Sequence, residues 1–359
     1  MPTWVSPDAA LPAGADQVVV VGGGPAGCAA AHALSETGWP VLLLERGTPG
    51  RDKACGDLFL PPAVAQLALL GLGPPALGKI GRPTSPHLEL ARPAGGLWRM
   101  AFTGGPAWML PRRLLDEALR TALPPGVTVA HGATATRLQS GADGVLAVTV
   151  HRLRAVATTV LAPAVVLACG PGGTLPSEFG ISGAPLLAPA LSAYVVTGPV
   201  PAPVFELADD CRPGYRWRFP LGDGVANVGV CWLARAPGSL VKASAISLLR
   251  DHHIAPPVAW RGGLGALWSG SGSRWHHPAG IVSCGDAAGL VNPFTGEGLT
   301  AALVSGRAAG AAVGQFLRHP RAQVHLEDYS LRVGQLFTAA YTGSAGFGLW
   351  KQLCGLGRG

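Results

Sequence analysis

Charged residues are scarce in this sequence. They make up 13% of its 359 residues, and Lys and Arg exceed Asp and Glu by 27 to 20. The net charge of +7 is spread along the chain without a block of like charges. Proteins that bind nucleic acids concentrate basic residues in one segment or on one face, so we expect no nucleic-acid partner.

Closely spaced cysteines are missing too. The seven cysteines stand apart, and none forms the pairs typical of zinc sites. We therefore expect no metal site, and reduced thiols as in the cytoplasm.

The sequence also lacks long apolar runs. None reaches the roughly 18 residues of a membrane span, and the N-terminus has no basic segment followed by an apolar one. These features predict a cytoplasmic protein. The mean hydropathy of +0.32 is high, however, which leaves peripheral contact with a membrane surface open.

The clearest positive signal lies in residues 17–45. Four valines, Val18–Val21, are typical of a strand buried on both faces, and Gly22-x-Gly24-x-x-Gly27 follows them. An alanine-rich helix and a second apolar strand ending at Glu45 complete a dinucleotide-binding βαβ unit. The glycines make the turn, admit the pyrophosphate and let helix and strand pack, and Glu45 is placed to bind the adenosine ribose.

The far end of the chain favours FAD over NAD. Residues 281–284 read as another buried strand, and Gly285 and Asp286 follow it. Asp286 can hold a ribityl hydroxyl, and a helix that opens at residues 296–299 can direct backbone N–H groups at the flavin pyrimidine.

Four segments together resemble the geranylgeranyl reductase family of flavoproteins, within the p-hydroxybenzoate-hydroxylase-like fold. They are the fingerprint at 22–27, Arg51-Asp52-Lys53-Ala54-Cys55-Gly56-Asp57, Tyr215-Arg216-Trp217-Arg218-Phe219-Pro220 with Asn227-Val228-Gly229-Val230, and Gly285-Asp286 with Asn292-Pro293-Phe294-Thr295-Gly296-Glu297-Gly298. The Cys-Gly-Asp form is most similar to that of bacterial menaquinone-chain reductases.

The resemblance implies an α/β fold with a Rossmann-like FAD-binding domain and a second, mostly antiparallel β domain for the substrate. We assign residues 16–84, 107–182 and 263–322 to the FAD-binding domain and residues 85–106 and 183–262 to the substrate domain. Residues 1–15 read as a flexible leader, and 323–359 as a C-terminal helical segment and tail. Residues 127–130, 146–151 and 158–161 look like a small sheet. The histidine pairs at 252–253 and 276–277 read as surface loops.

Together, the fingerprint and the resemblance predict the residues that bind FAD. They are Gly22, Gly24, Pro25, Ala26, Gly27, Glu45, Arg46, Lys53, Gly56, Asp57, Arg112, Gly170, Gly285, Asp286, Pro293, Gly296, Gly298 and Leu299.

Candidate catalytic residues come from two of the same segments. On a strand, Tyr215, Trp217 and Phe219 share one face and the two intervening arginines the other. This aromatic face is either packing within the second domain or, as the resemblance implies, the wall of a substrate pocket over the flavin. Cys55 is either a residue at the flavin face or an inert buried thiol.

These features predict an FAD-dependent oxidoreductase, reduced by NAD(P)H or a protein electron donor, that acts on a small apolar or aromatic substrate. Reduction of carbon–carbon double bonds in an isoprenoid is the first hypothesis. Cys169-Gly170 replaces the Asp-Gly of related hydroxylases, which weighs against a nicotinamide donor acting in the hydroxylase manner. Leu58-Phe59-Leu60 is expected to narrow the pocket, which weighs against an isoprenoid substrate.

Two alternatives stay open. One is a flavin-dependent monooxygenase, oxidase or halogenase that tailors a small aromatic or carrier-bound substrate in a biosynthetic pathway. The other is a flavin-binding partner without turnover.

Overall fold

The structure, a computed structural model, describes residues 1–6, 9–12, 14–93, 95–141, 143–152, 156–181, 185–270, 274–319 and 323–342. The described part of the 323–359 segment forms one helix, and residues 343–359 of the predicted tail lie outside the described residues.

The first half of the chain contains these elements: β1 (Thr3–Val5), β2 (Val18–Val21), α1 (Pro25–Glu36), β3 (Val41–Glu45), β4 (Leu58–Phe59), α2 (Pro61–Ala68), α3 (Pro74–Leu77), β5 (Arg82–Pro83), β6 (His87–Ala91), β7 (Leu97–Ala101), β8 (Trp108–Met109), α4 (Arg112–Thr121), β9 (Val127–His131), β10 (Ala133–Ser140), β11 (Leu146–Arg152), β12 (Thr158–Ala162), β13 (Val165–Leu167) and α5 (Leu175–Glu178). The second half contains β14 (Leu186–Val196), β15 (Val204–Glu206), β16 (Gly214–Gly222), β17 (Val225–Trp232), α6 (Gly238–Asp251), β18 (Arg261–Leu267), β19 (His276–His277), β20 (Ile281–Ser283), α7 (Leu299–Arg318) and α8 (Val324–Thr342).

The first large sheet has the order β1-β9-β3-β2-β13-β20-β19, and its strands are parallel except for β19. Alternate residues of β2 point to opposite faces, so Val18 and Val20 pack with α1 and α7 while Val19 and Val21 pack with the small sheet β10-β11-β12. Both faces are therefore covered, which explains the unbroken apolar runs of these strands.

Small residues bring α1 and α7 into close contact. A Cβ atom at Gly306 would lie 2.2 Å from the backbone oxygen of Ala26, and one at Gly310 would lie 2.4 Å from that of Ala30. The alanine-rich composition of both helices thus fixes how closely they pack.

The second large sheet has the order β18-β14-β17-β16-β15-β6-β7. Helix α6 covers one face through Val241, Ala245 and Leu248. The opposite face of β16 packs on the segment that contains Cys55 and Gly56. The two-part α/β fold predicted from the sequence is confirmed.

Several local predictions are wrong. Residues 3–5 of the proposed leader form β1, which pairs with β9 and is held by Trp4 stacked on His131 at 5.4 Å. Residues 127–131 belong to the large parallel sheet, and the small sheet is completed by β10 instead. Strand β18 extends the second sheet across the predicted boundary at residue 263.

The histidine pair at 276–277 is also misassigned, because it forms the edge strand β19 instead of a loop. His276 is buried, and its Nδ1 lies 2.8 Å from the hydroxyl of Ser330 on α8.

Among the helices of the described residues, none combines the length and the apolar composition that a membrane span needs.

Candidate functional site

The glycine turn between β2 and α1 uses each of its three glycines differently. Gly22 has φ of +108°, and a Cβ atom there would lie 2.2 Å from the backbone oxygen of Ala168. At Gly27 a Cβ atom would lie 1.8 Å from the oxygen of Gly22, so helix and turn touch directly. At Gly24 a Cβ atom would meet no described atom within 4 Å. The turn is therefore packed on two sides and open on the side of Gly24.

This open side suits a pyrophosphate. Gly24 is the N-cap of α1, no described side chain caps the helix, and Pro25 and Ala26 begin it. The first turn of a helix leaves N–H groups without intrahelical acceptors, and these groups and the helix dipole favour an anion. The residues present thus fit the cofactor predicted for this position.

Glu45 stands at the end of β3, as the fingerprint predicts. Its Oε2 accepts a hydrogen bond from the N–H of Gly23 at 2.9 Å, and its Oε1 accepts one from Gly47 at 2.6 Å. The Glu45 carboxylate therefore stabilises the glycine turn through hydrogen bonds from the backbone. Arg46, the next predicted residue, is exposed.

Arg120 on α4 was not foreseen from the sequence. Its side chain is buried and donates a hydrogen bond to the backbone oxygen of Gly23 at 3.2 Å. A buried cation thus lies behind the glycine turn, and only the fold brings these distant residues together.

Predicted flavin-binding residues that are far apart in the sequence lie close together in the structure. Lys53 Nζ lies 3.7 Å from Asp286 Oδ2, so the Arg51 to Asp57 segment contacts the turn after β20. Gly285 has φ of +60°, and a Cβ atom there would lie 2.7 Å from Cβ of Ala26. Gly285 therefore lets this turn pack against α1.

The turn before α7 is held by its own side chains. Asn292 Oδ1 accepts hydrogen bonds from the N–H groups of Phe294 and Thr295 at 2.8 and 3.1 Å, around the predicted Pro293. Glu297 Oε1 accepts one from Thr300 N–H at 2.7 Å, and burial raises the pKa of Glu297. Part of the helix N-terminus beside Gly298 and Leu299 is thus already bonded within the protein.

Two further predicted glycines have left-handed backbones. Gly170, after β13, has φ of +79°, and a Cβ atom there would meet no described atom within 4 Å. Gly296 has φ of +68°, and a Cβ atom there would lie 3.1 Å from the hydroxyl of Tyr215. Gly296 thus joins the flavin-side turn to the aromatic strand.

The aromatic strand is β16, and its alternation is confirmed. Trp217 and Phe219 are buried on one face, and the rings of this pair are stacked at 6.0 Å. Tyr215 on the same face donates its hydroxyl hydrogen to the oxygen of Thr295 at 2.7 Å. On the other face Arg216 pairs with Glu206 and with Asp251.

Gly56 brings the Cys-Gly-Asp segment onto this aromatic face. A Cβ atom at Gly56 would lie 2.6 Å from Cε2 of Phe219 and 3.5 Å from Nε1 of Trp217. Any larger residue would push the segment off the strand. The two segments most specific to the family resemblance therefore form a single structural unit.

Cys55 is partly exposed in this unit. Its Sγ accepts a hydrogen bond from the N–H of Asp57 at 3.3 Å, and its backbone oxygen accepts one from Asn227 Nδ2 at 2.7 Å. Burial raises the pKa of the Cys55 thiol, and the negative charge of Asp57 raises it further.

Asp57 departs from the prediction that it contacts the cofactor, because its side chain is 0% exposed. Oδ1 accepts a hydrogen bond from the N–H of Arg112 at 2.9 Å. Oδ2 accepts one from the hydroxyl of Tyr194 at 2.7 Å and one from Asn227 Nδ2 at 2.7 Å. The roles of Tyr194 and Asn227 were missed, since their partners lie far away in sequence.

Arg112 is the first residue of α4. Its Nε lies 2.5 Å from Oδ1 of Asp116, so its guanidinium is fixed along the helix. Its role as a cofactor contact stays a prediction.

The expected narrowing by residues 58–60 is wrong for Phe59. Phe59 is 2% exposed and packs into the core beneath the first large sheet. Leu58 joins the cluster formed by Met109, Trp217 and Phe219. The bulky Phe59 therefore faces the interior of the FAD-binding domain.

Comparisons with known proteins agree with this geometry. Residues 17–56 match the family model described as FAD dependent oxidoreductase. The chain is 32% identical to a menaquinone reductase of Mycobacterium tuberculosis over 334 residues, which covers 81% of this chain and 75% of the relative. It is also 32% identical to digeranylgeranylglycerophospholipid reductase 1 of Methanopyrus kandleri, over 82% of this chain and 79% of the relative.

The fold has a close counterpart among solved structures. A geranylgeranyl bacteriochlorophyll reductase-like protein from Thermoplasma acidophilum superposes with a TM-score of 0.77 at 22% identity, covering 94% of this chain and 87% of the other. At this identity, the likeness shows the shared fold.

Proposed function

The chain belongs to the geranylgeranyl reductase family of FAD-dependent flavoproteins, and from this membership we propose that it reduces carbon–carbon double bonds of an isoprenoid-type substrate. As an FAD-dependent oxidoreductase it requires a reductant, for which we propose NAD(P)H or a protein electron donor. When bound, FAD supplies the hydride chemistry.

The observation that carries this proposal is the contact between the Cys-Gly-Asp segment and the aromatic strand through Gly56 and Phe219. The cluster around it contains the buried side chains of Met109, Trp217 and Phe219, with Leu58 and Tyr215 packed against them. A wall of this composition suits an apolar chain and excludes water from it.

The residues on the other side of the unit suit a flavin dinucleotide. The open side of Gly24 and the start of α1 would hold the pyrophosphate, and Glu45 the ribose. Lys53 and Asp286, which form an ion pair at 3.7 Å, would hold the ribityl region.

An isoprenoid substrate is found in or beside membranes. We therefore include peripheral contact with a membrane surface in the proposal, with the isoprenoid as the small apolar partner of the site. The apolar composition of the aromatic wall is the feature of the described residues that supports an apolar substrate.

The product distinguishes reduction from oxygen chemistry. We would incubate the holoenzyme with dithionite and a short-chain menaquinone under nitrogen, and in parallel with NADPH in air. A gain of two hydrogens per molecule under nitrogen that persists after the quinol ring has been reoxidised to the quinone supports the proposal. A gain of one oxygen atom in air, without saturation under nitrogen, would replace it with monooxygenase activity. Protein stripped of FAD is the control for direct reduction by dithionite.

A further inference from the structure

A buried carboxylate lies between the two sides of the proposed site. Asp57 receives hydrogen bonds from three elements: the backbone of Arg112 at the start of α4, Tyr194 on β14 and Asn227 on β17. The same amide of Asn227 accepts a hydrogen bond from Trp217 Nε1 at 2.9 Å. Asp57 and Asn227 together thus connect the helix predicted to contact the cofactor with the aromatic wall.

We propose that Asp57 is a positioning residue whose ionised carboxylate fixes Arg112 and Trp217 relative to each other in the reactive arrangement. The inference rests on the proposed function, which assigns Arg112 to the cofactor side and Trp217 to the substrate side. Asp57 itself touches neither ligand because it has no exposed surface.

The hydrogen-bonding chemistry of the position requires a carboxylate. All three partners are donors, and an ionised carboxylate is an acceptor only. An amide at residue 57 would turn its NH2 group toward at least one donor, so one contact would be lost. Asparagine also tolerates the left-handed backbone of this residue, where φ is +62°. Asp57→Asn therefore changes the hydrogen bonding while it keeps the size and the backbone.

Protonation should have the same effect as the amide. The charged and titratable groups that face Asp57 are Tyr194 and Arg261 from the second sheet and Cys55 in its own segment, while Arg112 on α4 contributes its backbone N–H. Burial raises the pKa of Asp57 to about 6, although hydrogen bonds from Tyr194 and Asn227 oppose the rise. The three-donor arrangement is therefore complete above this pH and loses one bond below it.

The first test is the pH dependence of turnover in the holoenzyme with a short-chain menaquinone. In the wild type, kcat should fall below pH 6. Asp57→Asn should lower kcat about tenfold at pH 7.5 and remove the low-pH limb. Tyr194→Phe should move the limb to higher pH, since the carboxylate loses one donor. Tyr329→Phe, which removes a buried hydroxyl bonded to the oxygen of Ser283 at 2.6 Å, is the matched control and should leave the profile unchanged.

The second test needs no substrate. The rate of alkylation by iodoacetamide at pH 8 is measured for Cys55 by mass spectrometry, with the partly exposed Cys169 as internal reference. Asp57→Asn should label Cys55 about tenfold faster relative to Cys169, because the segment is released and a neighbouring negative charge is removed. Equal labelling in both proteins, or an unchanged pH limb in Asp57→Asn, would overturn the positioning role. A wild type that saturates no substrate would refute the proposed function alone, because the labelling ratio still decides the role of Asp57.

Discussion

We expect Gly24→Ala and Gly27→Ala to fail in different ways. The two glycines lie three positions apart in one turn, yet a Cβ atom at Gly27 would lie 1.8 Å from a backbone oxygen, while one at Gly24 would meet no described atom within 4 Å. Gly27→Ala should therefore lower the free energy of unfolding of the apoprotein by about 3 kcal/mol, the upper range for overpacking. Gly24→Ala should change it by less than about 1 kcal/mol, because φ of −81° at this N-cap suits alanine.

The affinity for FAD should be lowered specifically in Gly24→Ala, the variant whose stability changes little. In Gly24→Ala the added methyl group lies where the pyrophosphate is proposed to bind. Loss of one charge-assisted hydrogen bond, worth about 1.5–3 kcal/mol, predicts a Kd that is roughly 10- to 100-fold higher. Urea unfolding of the apoproteins and fluorescence titration with FAD give both quantities. Wild-type affinity in a stable Gly24→Ala protein would refute the placement of the pyrophosphate against this turn.

Three further predictions concern the rest of the site. Asp286→Ala should lose bound FAD while the fold is kept, because its carboxylate is proposed to hold the ribityl chain beside Lys53; full occupancy, read from the ratio of flavin to protein absorbance, would contradict this. Trp217→Phe keeps an aromatic ring but removes the hydrogen bond that Trp217 Nε1 donates to Asn227 Oδ1. We expect the free energy of unfolding to fall by about 1–3 kcal/mol and the KM to rise at unchanged flavin content. Unaltered kinetics would show that the aromatic face of β16 only packs within the core. Burial raises the pKa of Asp57 from 3.8 to about 6, so its protonated form stabilises the fold at low pH and this contribution is lost as the pH rises through 6. Wild-type stability should thus fall relative to Asp57→Asn by about 3 kcal/mol between pH 4 and pH 7, and a constant difference in urea midpoints across this range would exclude it.

The elements that the sequence predicts well are those with strong local signals. The four valines of β2, the glycine turn and the alternation of β16 each follow from periodicity or backbone geometry within a few residues. The failures have a common cause. Strand β1 has three residues at a sheet edge, too short for a period, and is defined by its pairing with β9.

The environment of Asp57 was unpredictable for a related reason. Its partners Tyr194 and Asn227 lie 137 and 170 residues away, on strands of the other sheet. A motif identifies the aspartate, but only the packing of that sheet decides whether it faces a ligand or the interior. The expectation for Phe59 was wrong for the same reason, because a short apolar run does not show which of its side chains face the core.

The discontinuous first sheet has a consequence for the order of folding. Strand β13 pairs with β2 on one side and with β20 on the other, and α1 packs closely on α7. During synthesis the glycine turn leaves the ribosome early, whereas the strand and helix that complete its surroundings begin at Ile281 and Leu299. Contacts of such long sequence separation form slowly. The strands of the second sheet, which end at Leu267, are therefore synthesised before β20 and α7, and we expect FAD uptake only after α7 has been made.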